Sequence, residues 1–386
     1  MKICIFEDEG YKNLLPLVWM RPVWDLKCGV LTLKQKIRKY YKIDAELGRD
    51  YLGYPERSEG PCLYLNGRVI ADARLKKAIP LKGPEEAFYC DGQLVAVRTQ
   101  SPMSDVLSPK SSIPKKDIKA RIINYPWDLV KHMPQELTKE IKPLVMGKIH
   151  KRAVLYNVKA IQVEKGAVVE ANAVLDARQG PIYIGEGSLV HPGALLRGPL
   201  YIGPHCKVAG EVIHSTFMGY DNKGHYGFIG HAYVCEWVNL GAGTTNSNLK
   251  NNYSPVKIKL GEKDHNTGET FMGCFIGDHA KLGIGTLINT GTVIGIFANV
   301  FGGTLTPKTI PSFSWGIDKE YAIEKAIETA RIVMARRGVK LSMEQIEDPL
   351  RQREALRRLK GPEQWGEIPR LRHREVEEVA LLPDLP

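Results

Sequence analysis

The chain has no long apolar run. Its opening stretch, MKICIFEDEG, is apolar for a few residues and then meets three acids, so neither a signal peptide nor a membrane span is expected, and the cytoplasm is the expected compartment. Cysteine is sparse: Cys4, Cys28, Cys62, Cys90, Cys206, Cys235 and Cys274 stand singly, odd in number and without a C-x-x-C pair. That pattern excludes a disulfide framework and a zinc knuckle, and predicts buried, reduced thiols. Aromatic residues are only 8% of the chain and are not interleaved with basic residues into a base-stacking platform, so nucleic acid is not an expected partner.

What is present is a globular composition, 43% apolar with 37 Gly and 24 Pro over 386 residues, long enough for two or three domains. The net charge of +11 is unevenly spread. Residues 1–150 hold 26 basic and 18 acidic side chains, 151–317 hold 14 and 11, and 318–386 hold 14 and 14. The excess therefore lies in the first segment, where it suits phosphorylated sugars and nucleotides.

The middle segment repeats with a period of six. Aliphatic residues recur at Val163, Val169 and Leu175, then at Ile184, Val190, Leu196, Ile202 and Val208, then at Ile229 with Cys235 and Gly241 in phase, and finally at Ile276, Leu282, Ile288, Ile294 and Val300. One bulky residue per short strand, with small residues at the corners, is the requirement of a prism whose sides are parallel strands. The spacing resembles the hexapeptide-repeat left-handed parallel β-helix, in which three hexads make one triangular coil. These hexads amount to a little over five coils. Residues 214–228 and 249–275 break the phase and are expected as loops thrown out from the prism.

Residues 1–150 have an α/β texture: a strand at 2–6, a helix from about 23 to 41, a strand and turn at 63–72, a hairpin around Asp91-Gly92, a linker at 101–120, and a short helix from Tyr125. Residues 318–386 are expected to be helical, with Asp318 capping a helix to about Arg337 and Ser342 with Gln345 opening a second. The expected domains are thus 1–150, 151–317 and 318–386.

The sharpest constellation spans 221–248, DNKGHYGFIGHAYVCEWVNLGAGTTNSN. His225, between Gly224 and Gly227, is a candidate general base, since a neutral imidazole titrates in the range that amine acylation needs. The segment resembles the acetyltransferase half of the bifunctional N-acetylglucosamine-1-phosphate uridyltransferase and glucosamine-1-phosphate acetyltransferase family. His225 precedes Gly241 by sixteen residues, the family's spacing between its catalytic base and the G-A-G-T turn. The resemblance implies acetyl-CoA as acyl donor and a homotrimer with sites between neighbouring prisms. It implies substrate contacts from Asn222, Tyr226, Asn239, Asn246 and Asn248, and acyl-donor contacts from Ala242, Gly243, Thr244 and Gly302; some of the family's basic residues for the sugar phosphate are missing here, and Lys223 and Lys250 are the expected replacements.

The whole chain resembles a divergent branch of sugar nucleotidyltransferases, through Arg21-Pro22-Val23 and Asn66-Gly67-Arg68 in the first segment and through Pro311 to Gly316 leading to Met334-Ala-Arg-Arg337 further on. The glycine-rich phosphate loop of that fold is replaced by Glu7-Asp8-Glu9-Gly10. What the resemblance implies is nucleotidyl transfer to a sugar 1-phosphate, with Arg21 and Arg68 on phosphates and Asp72 on Mg²⁺. Two alternatives stand beside acetyl transfer: a silent sugar-nucleotide-binding scaffold, and a zinc enzyme like the β-helix carbonic anhydrases, drawing on His191, His205, His214, His225, His231, His265 and His279.

Overall fold

Apolar runs in the first segment build a six-stranded mixed sheet. Its strands are β1 (Lys2–Phe6), β2 (Ala45–Leu47), β3 (Cys62–Asn66), β4 (Glu86–Cys90), β5 (Gln93–Thr99) and β6 (Lys115–Asp117), in the order β2-β1-β3-β5-β4-β6. The hairpin turn falls where expected: Asp91 and Gly92 have φ of 49° and 77°, as a two-residue turn matching strand twist demands. The expected helix over 23–41 is instead a single 3-10 turn, Val23–Asp25, followed by α1 (Leu33–Arg38). Gly29 takes φ of 88°, and Thr32 opens α1 with a capping box closed by Gln35. Asp72 caps α2 (Ala73–Ala78). The short helix expected at Tyr125 runs the length of α3 (Pro126–Glu140), with Pro126 in its first turn.

The computed structural model describes residues 1–54, 61–100 and 112–341. The helix expected from Ser342 and Gln345, and residues 101–111 of the expected linker, lie outside the described residues.

The hexads fold as a triangular parallel β-helix, with three faces of eight, nine and seven parallel strands, the last split five and two, and Lys319–Glu320 added antiparallel at the end of the second. The aliphatic column residues point inward: Val169, Val190, Val208, Leu240, Leu282 and Val300 are at most 2% exposed in one continuous core. The prism is taller than the hexads alone suggest. Residues 214–228 are not a thrown-out loop but complete a coil through the strands Thr216–Phe217, Asn222–Lys223 and Phe228–Gly230. That coil is short, with Val208 pairing with Lys223 only fifteen residues on, where Val190 and Val208 are eighteen apart. Beyond Ile229 the phase also slips by one, so that Val234 and Leu240 point inward where Cys235 and Gly241 were expected. Eight coils at ~4.8 Å make a column of roughly 38 Å.

Each face has its own surroundings. One, from Ile161–Val163 to Thr309–Ile310, is covered by the α/β layer: Tyr233, Phe275 and Val293 share a buried cluster with Trp24, Leu26 and Trp127. Residues 249–275 leave the prism as expected, forming the hairpin Lys257–Leu260 and Lys263–Asn266. Val256 and Ile258 join the same cluster and His265 packs 5.1 Å from Tyr125. A second face presents Lys207, Asn222, Asn239, Lys281 and Asn299 outward on five consecutive rungs. The third presents Val154, Val174, Leu195, Phe228, Leu287 and Leu305, interrupted by Glu211 and Thr245.

Past the last coil the chain turns back as α4 (Ile323–Ala335), four residues after the expected start, with Ala322 rather than Asp318 at its cap. Ile323, Ala326, Ile327, Ala330 and Met334 are its buried stripe, the spacing of one helix face. Its path follows from its ends, since the Tyr321 N–H donates to the Phe313 carbonyl and Arg337 donates to that of His205. Between those points His205, Tyr220, Trp237, His279, Phe297 and Phe313 stack along one corner, with centroids 4.2 to 6.1 Å apart.

Candidate active site

The corner between the polar face and the apolar face carries the candidate site. Each polar-face strand is followed by a residue in a single column, and on four rungs it is Ala209, Gly224, Gly241 and Gly283, with His191 below and Phe301 above. Without side chains Gly224, Gly241 and Gly283 leave the backbone partly exposed along this strip, with Ala209 buried below them. The turns beside it stack into a ridge: the Gly243 N–H donates to the Tyr226 carbonyl at 3.0 Å, and the Gly285 N–H to the Ala242 carbonyl at 2.7 Å. His225 is exposed on the ridge, Tyr226 is 73% exposed beside it, and Gly302 is exposed three turns further along. Gly227 is required where it stands, because φ is 125° and a Cβ would lie 2.2 Å from the Thr244 carbonyl. His225, Tyr226, Ala242, Gly243 and Gly302 thus share one surface strip, with Ile284, 81% exposed, as a neighbour that the hexad pattern does not single out. His191 approaches from below; burial, foremost, lowers its proton affinity, and Lys207 and His225 lower it further against the pull of Glu170. Asn222 and Asn239 flank the strip on adjacent strands, the Asn222 amide donating to Asn239 Oδ1 at 2.8 Å.

Other expected contacts lie elsewhere in this chain. Lys223 points into the prism, fully buried, where a substrate cannot reach it. Thr244 is also turned inward with its hydroxyl buried, so only its backbone borders the ridge. Asn246 is 1% exposed and is spent on linking coils, accepting from the Gly230 N–H at 2.7 Å and donating to the Gly230 carbonyl at 3.0 Å. Asn248 sits across the apolar face at its other edge, hydrogen-bonded to His231 Nδ1 at 2.9 Å.

The α/β layer revises the phosphate and metal expectations. The Arg21 guanidinium is held by both Asp278 oxygens at 2.6 and 3.0 Å and by Glu236 at 3.4 Å. Arg68 grips Asp8 through two hydrogen bonds at 2.7 and 2.6 Å and reaches the Ile123 carbonyl and Asn124. Both are structural clamps, one joining the layer to the prism and the other closing the loop after β1. Glu7, in that same loop, is paired with Arg49 at 2.6 Å. The two pairs inside the layer leave its positive excess unchanged, and Arg21 is matched by carboxylates of the prism. Asp72 accepts the Leu75 N–H at 2.9 Å as a helix cap and faces Arg121 at 3.4 Å, which does not fit a Mg²⁺ ligand. The histidines disperse as well: His205 and His279 lie in the aromatic stack, His214 and His231 stack at another corner, and His265 lies against Tyr125. Among the described residues no group of three or more His, Cys, Asp or Glu is placed to hold a metal ion.

A capped triangular β-helix with a histidine on a partly exposed backbone ridge defines a class of hexapeptide-repeat proteins. Residues 3–149 match the family described as sugar nucleotidyl transferase. Over parts of its length the chain is also similar to bifunctional nucleotidylyltransferase/acetyltransferase proteins. It is 32% identical over 100 residues to the bifunctional sugar-1-phosphate nucleotidylyltransferase/acetyltransferase of Sulfurisphaera tokodaii, covering 26% of this chain and 25% of that protein. It is 29% identical over 206 residues to the bifunctional protein GlmU of Methanococcus aeolicus, covering 53% and 48%. The chain therefore spans a quarter to a half of these relatives' lengths. The acetyltransferase domain of PglB from Neisseria gonorrhoeae aligns over 81% of this chain and 97% of its own at 12% identity, with a TM-score of 0.17, too loose a superposition to carry an argument.

Proposed function

We propose that the prism transfers an acetyl group from acetyl-CoA to the amine of an amino-sugar 1-phosphate, with His225 as general base. The observation that carries this reading is the placement of an exposed imidazole on a strip of partly exposed backbone formed by Gly224, Gly241 and Gly283 above Ala209. An extended pantetheine arm needs such a strip, and the imidazole at its side can take the proton that the attacking amine releases. Backbone N–H groups of the ridge turns are the candidate donors to the developing oxyanion. Asn222 and Asn239 border the sugar side. The apolar face beside the ridge, uncovered among the described residues with Leu287 45% and Leu305 57% exposed, suits contact with neighbouring copies in a homotrimer, which would bring another subunit's Asn248 edge toward the ridge.

The test is release of CoA from acetyl-CoA with glucosamine 1-phosphate. We expect the wild type to turn over and His225→Ala to lose about 100-fold or more in kcat. Equal rates in the two would remove His225 from the mechanism.

The family match over residues 3–149 favours a second activity, nucleotidyl transfer in the α/β layer. Release of pyrophosphate from UTP or dTTP with Mg²⁺ and a sugar 1-phosphate tests it. With Glu7, Asp8, Arg49 and Arg68 locked in pairs where the phosphate loop of that fold would lie, the acetyl-transfer reading is the stronger one.

A further inference from the structure

We infer that Lys223 is the positioning residue of the His225 turn, an ammonium inside the prism that clamps the turn's backbone and so orients the imidazole; this rests on the acetyl-transfer reading above. Lys223 occupies an inward column position, paired with Val208 on the coil below and in line with Leu240 above. Every other inward residue of that column from Val169 to Val300 is Val or Leu. The lysine is fully buried, and Nζ donates to the carbonyl of Ala209 at 3.3 Å, to that of Tyr226 at 3.1 Å and to that of His225. A lysine ammonium has three donors and no acceptor, so all three are engaged. Two go to the turn carrying the imidazole and one to the coil beneath it.

An aliphatic side chain would fill this position without bringing a charge out of water, as it does on the other rungs. Burial alone draws the ammonium down to about 8. The groups around it are Asn222 and Asn239 on the outer side of the same strands, His191 two rungs below, and His225 itself. No carboxylate contributes to the shift. The backbone of residues 225 and 226 is what the charge holds.

The experiment compares Lys223→Met with wild type and His225→Ala, using acetyl-CoA and glucosamine 1-phosphate for turnover and hydrogen exchange of the peptide spanning 219–230. Lys223→Met should lose about 10- to 100-fold in kcat while KM for acetyl-CoA stays within about twofold, and the turn peptide should exchange faster. If Lys223→Met keeps wild-type kcat and exchange while His225→Ala is inactive, the positioning role is overturned and acetyl transfer stands. If neither variant changes turnover, the role of His225 falls, and exchange alone decides whether Lys223 holds the turn. Should Lys223→Met fail to fold, wild-type exchange corrected for intrinsic pH dependence decides. Protection of this peptide should fall with a midpoint of about 8, and protection that stays flat from about pH 6.5 to about 9.5 overturns the proposal.

Discussion

Histidines buried as neutral rings tie this protein's stability to pH. His231 is pushed down to about 3 by burial and then by the neighbouring His214. Burial foremost also lowers His214 and His279. In the unfolded chain each ring takes a proton near ~6.5, whereas in the folded chain each takes it up only at lower pH. The contribution of His231 is therefore fully present above about pH 6.5 and is lost as pH falls from there toward 3, by about 1.4 kcal/mol per pH unit, and His214 and His279 act in the same direction. Lys281, lowered to about 8 by burial against the pull of Asp221, acts in the same sense in a higher window, adding stability as pH rises above 8. Urea unfolding at a series of pH values below neutrality checks the histidine slope. It should be steep in the wild type and shallower in His231→Gln, and a slope unchanged by that substitution would contradict the assignment. His225 could be singled out from sequence because the glycines around it and its spacing to the G-A-G-T turn are local features. The inward turn of Lys223, Thr244 and Asn246 could not, because a polar residue in an aliphatic column is indistinguishable in sequence from one on the surface.

At the scale of elements, the prism was legible wherever coils are eighteen residues long and every inward position is aliphatic, as from Val190 to Val208 and from Leu282 to Val300. It was illegible across 209–223, where the coil drops three residues and ends on Lys223. The aromatic corner was equally hidden. Its six residues take φ between 53° and 64°, a conformation that usually selects Gly or Asn and costs an L side chain roughly 1–2 kcal/mol. Ring stacking along the corner offsets part of that cost. The cover matters too, because α4, about 20 Å long at 1.5 Å per residue, matches the five coil steps, ~24 Å, between His205 and Phe313. Trp237, His279, Phe297 and Phe313 are at most 6% exposed beneath it. Met334→Asp, which puts a charge into the buried stripe, should cost about 3 kcal/mol or more, read as a lower melting temperature and greater binding of a hydrophobic dye. An unchanged melt would show that α4 does not seal the corner.

Over the whole molecule, the layer and the prism are joined by shared core and by charge. Tyr233 both accepts from the Lys27 N–H at 2.9 Å and donates to the Lys27 carbonyl at 3.1 Å, while Arg21 crosses to Asp278 and Glu236. Among the described residues the layer covers one face of the prism, and the polar and apolar faces and the ridge between them stay open. Among the described residues no helix is long and apolar enough to cross a membrane. If the ridge holds acetyl-CoA with its thioester beside His225, as proposed, a crystal structure of the protein with acetyl-CoA will show it. The pantetheine arm should lie along Ala209, Gly224, Gly241 and Gly283, with the thioester carbon within roughly 5 Å of His225. Acetyl-CoA seated away from this ridge, or with its thioester beyond the reach of the imidazole, would contradict the proposal.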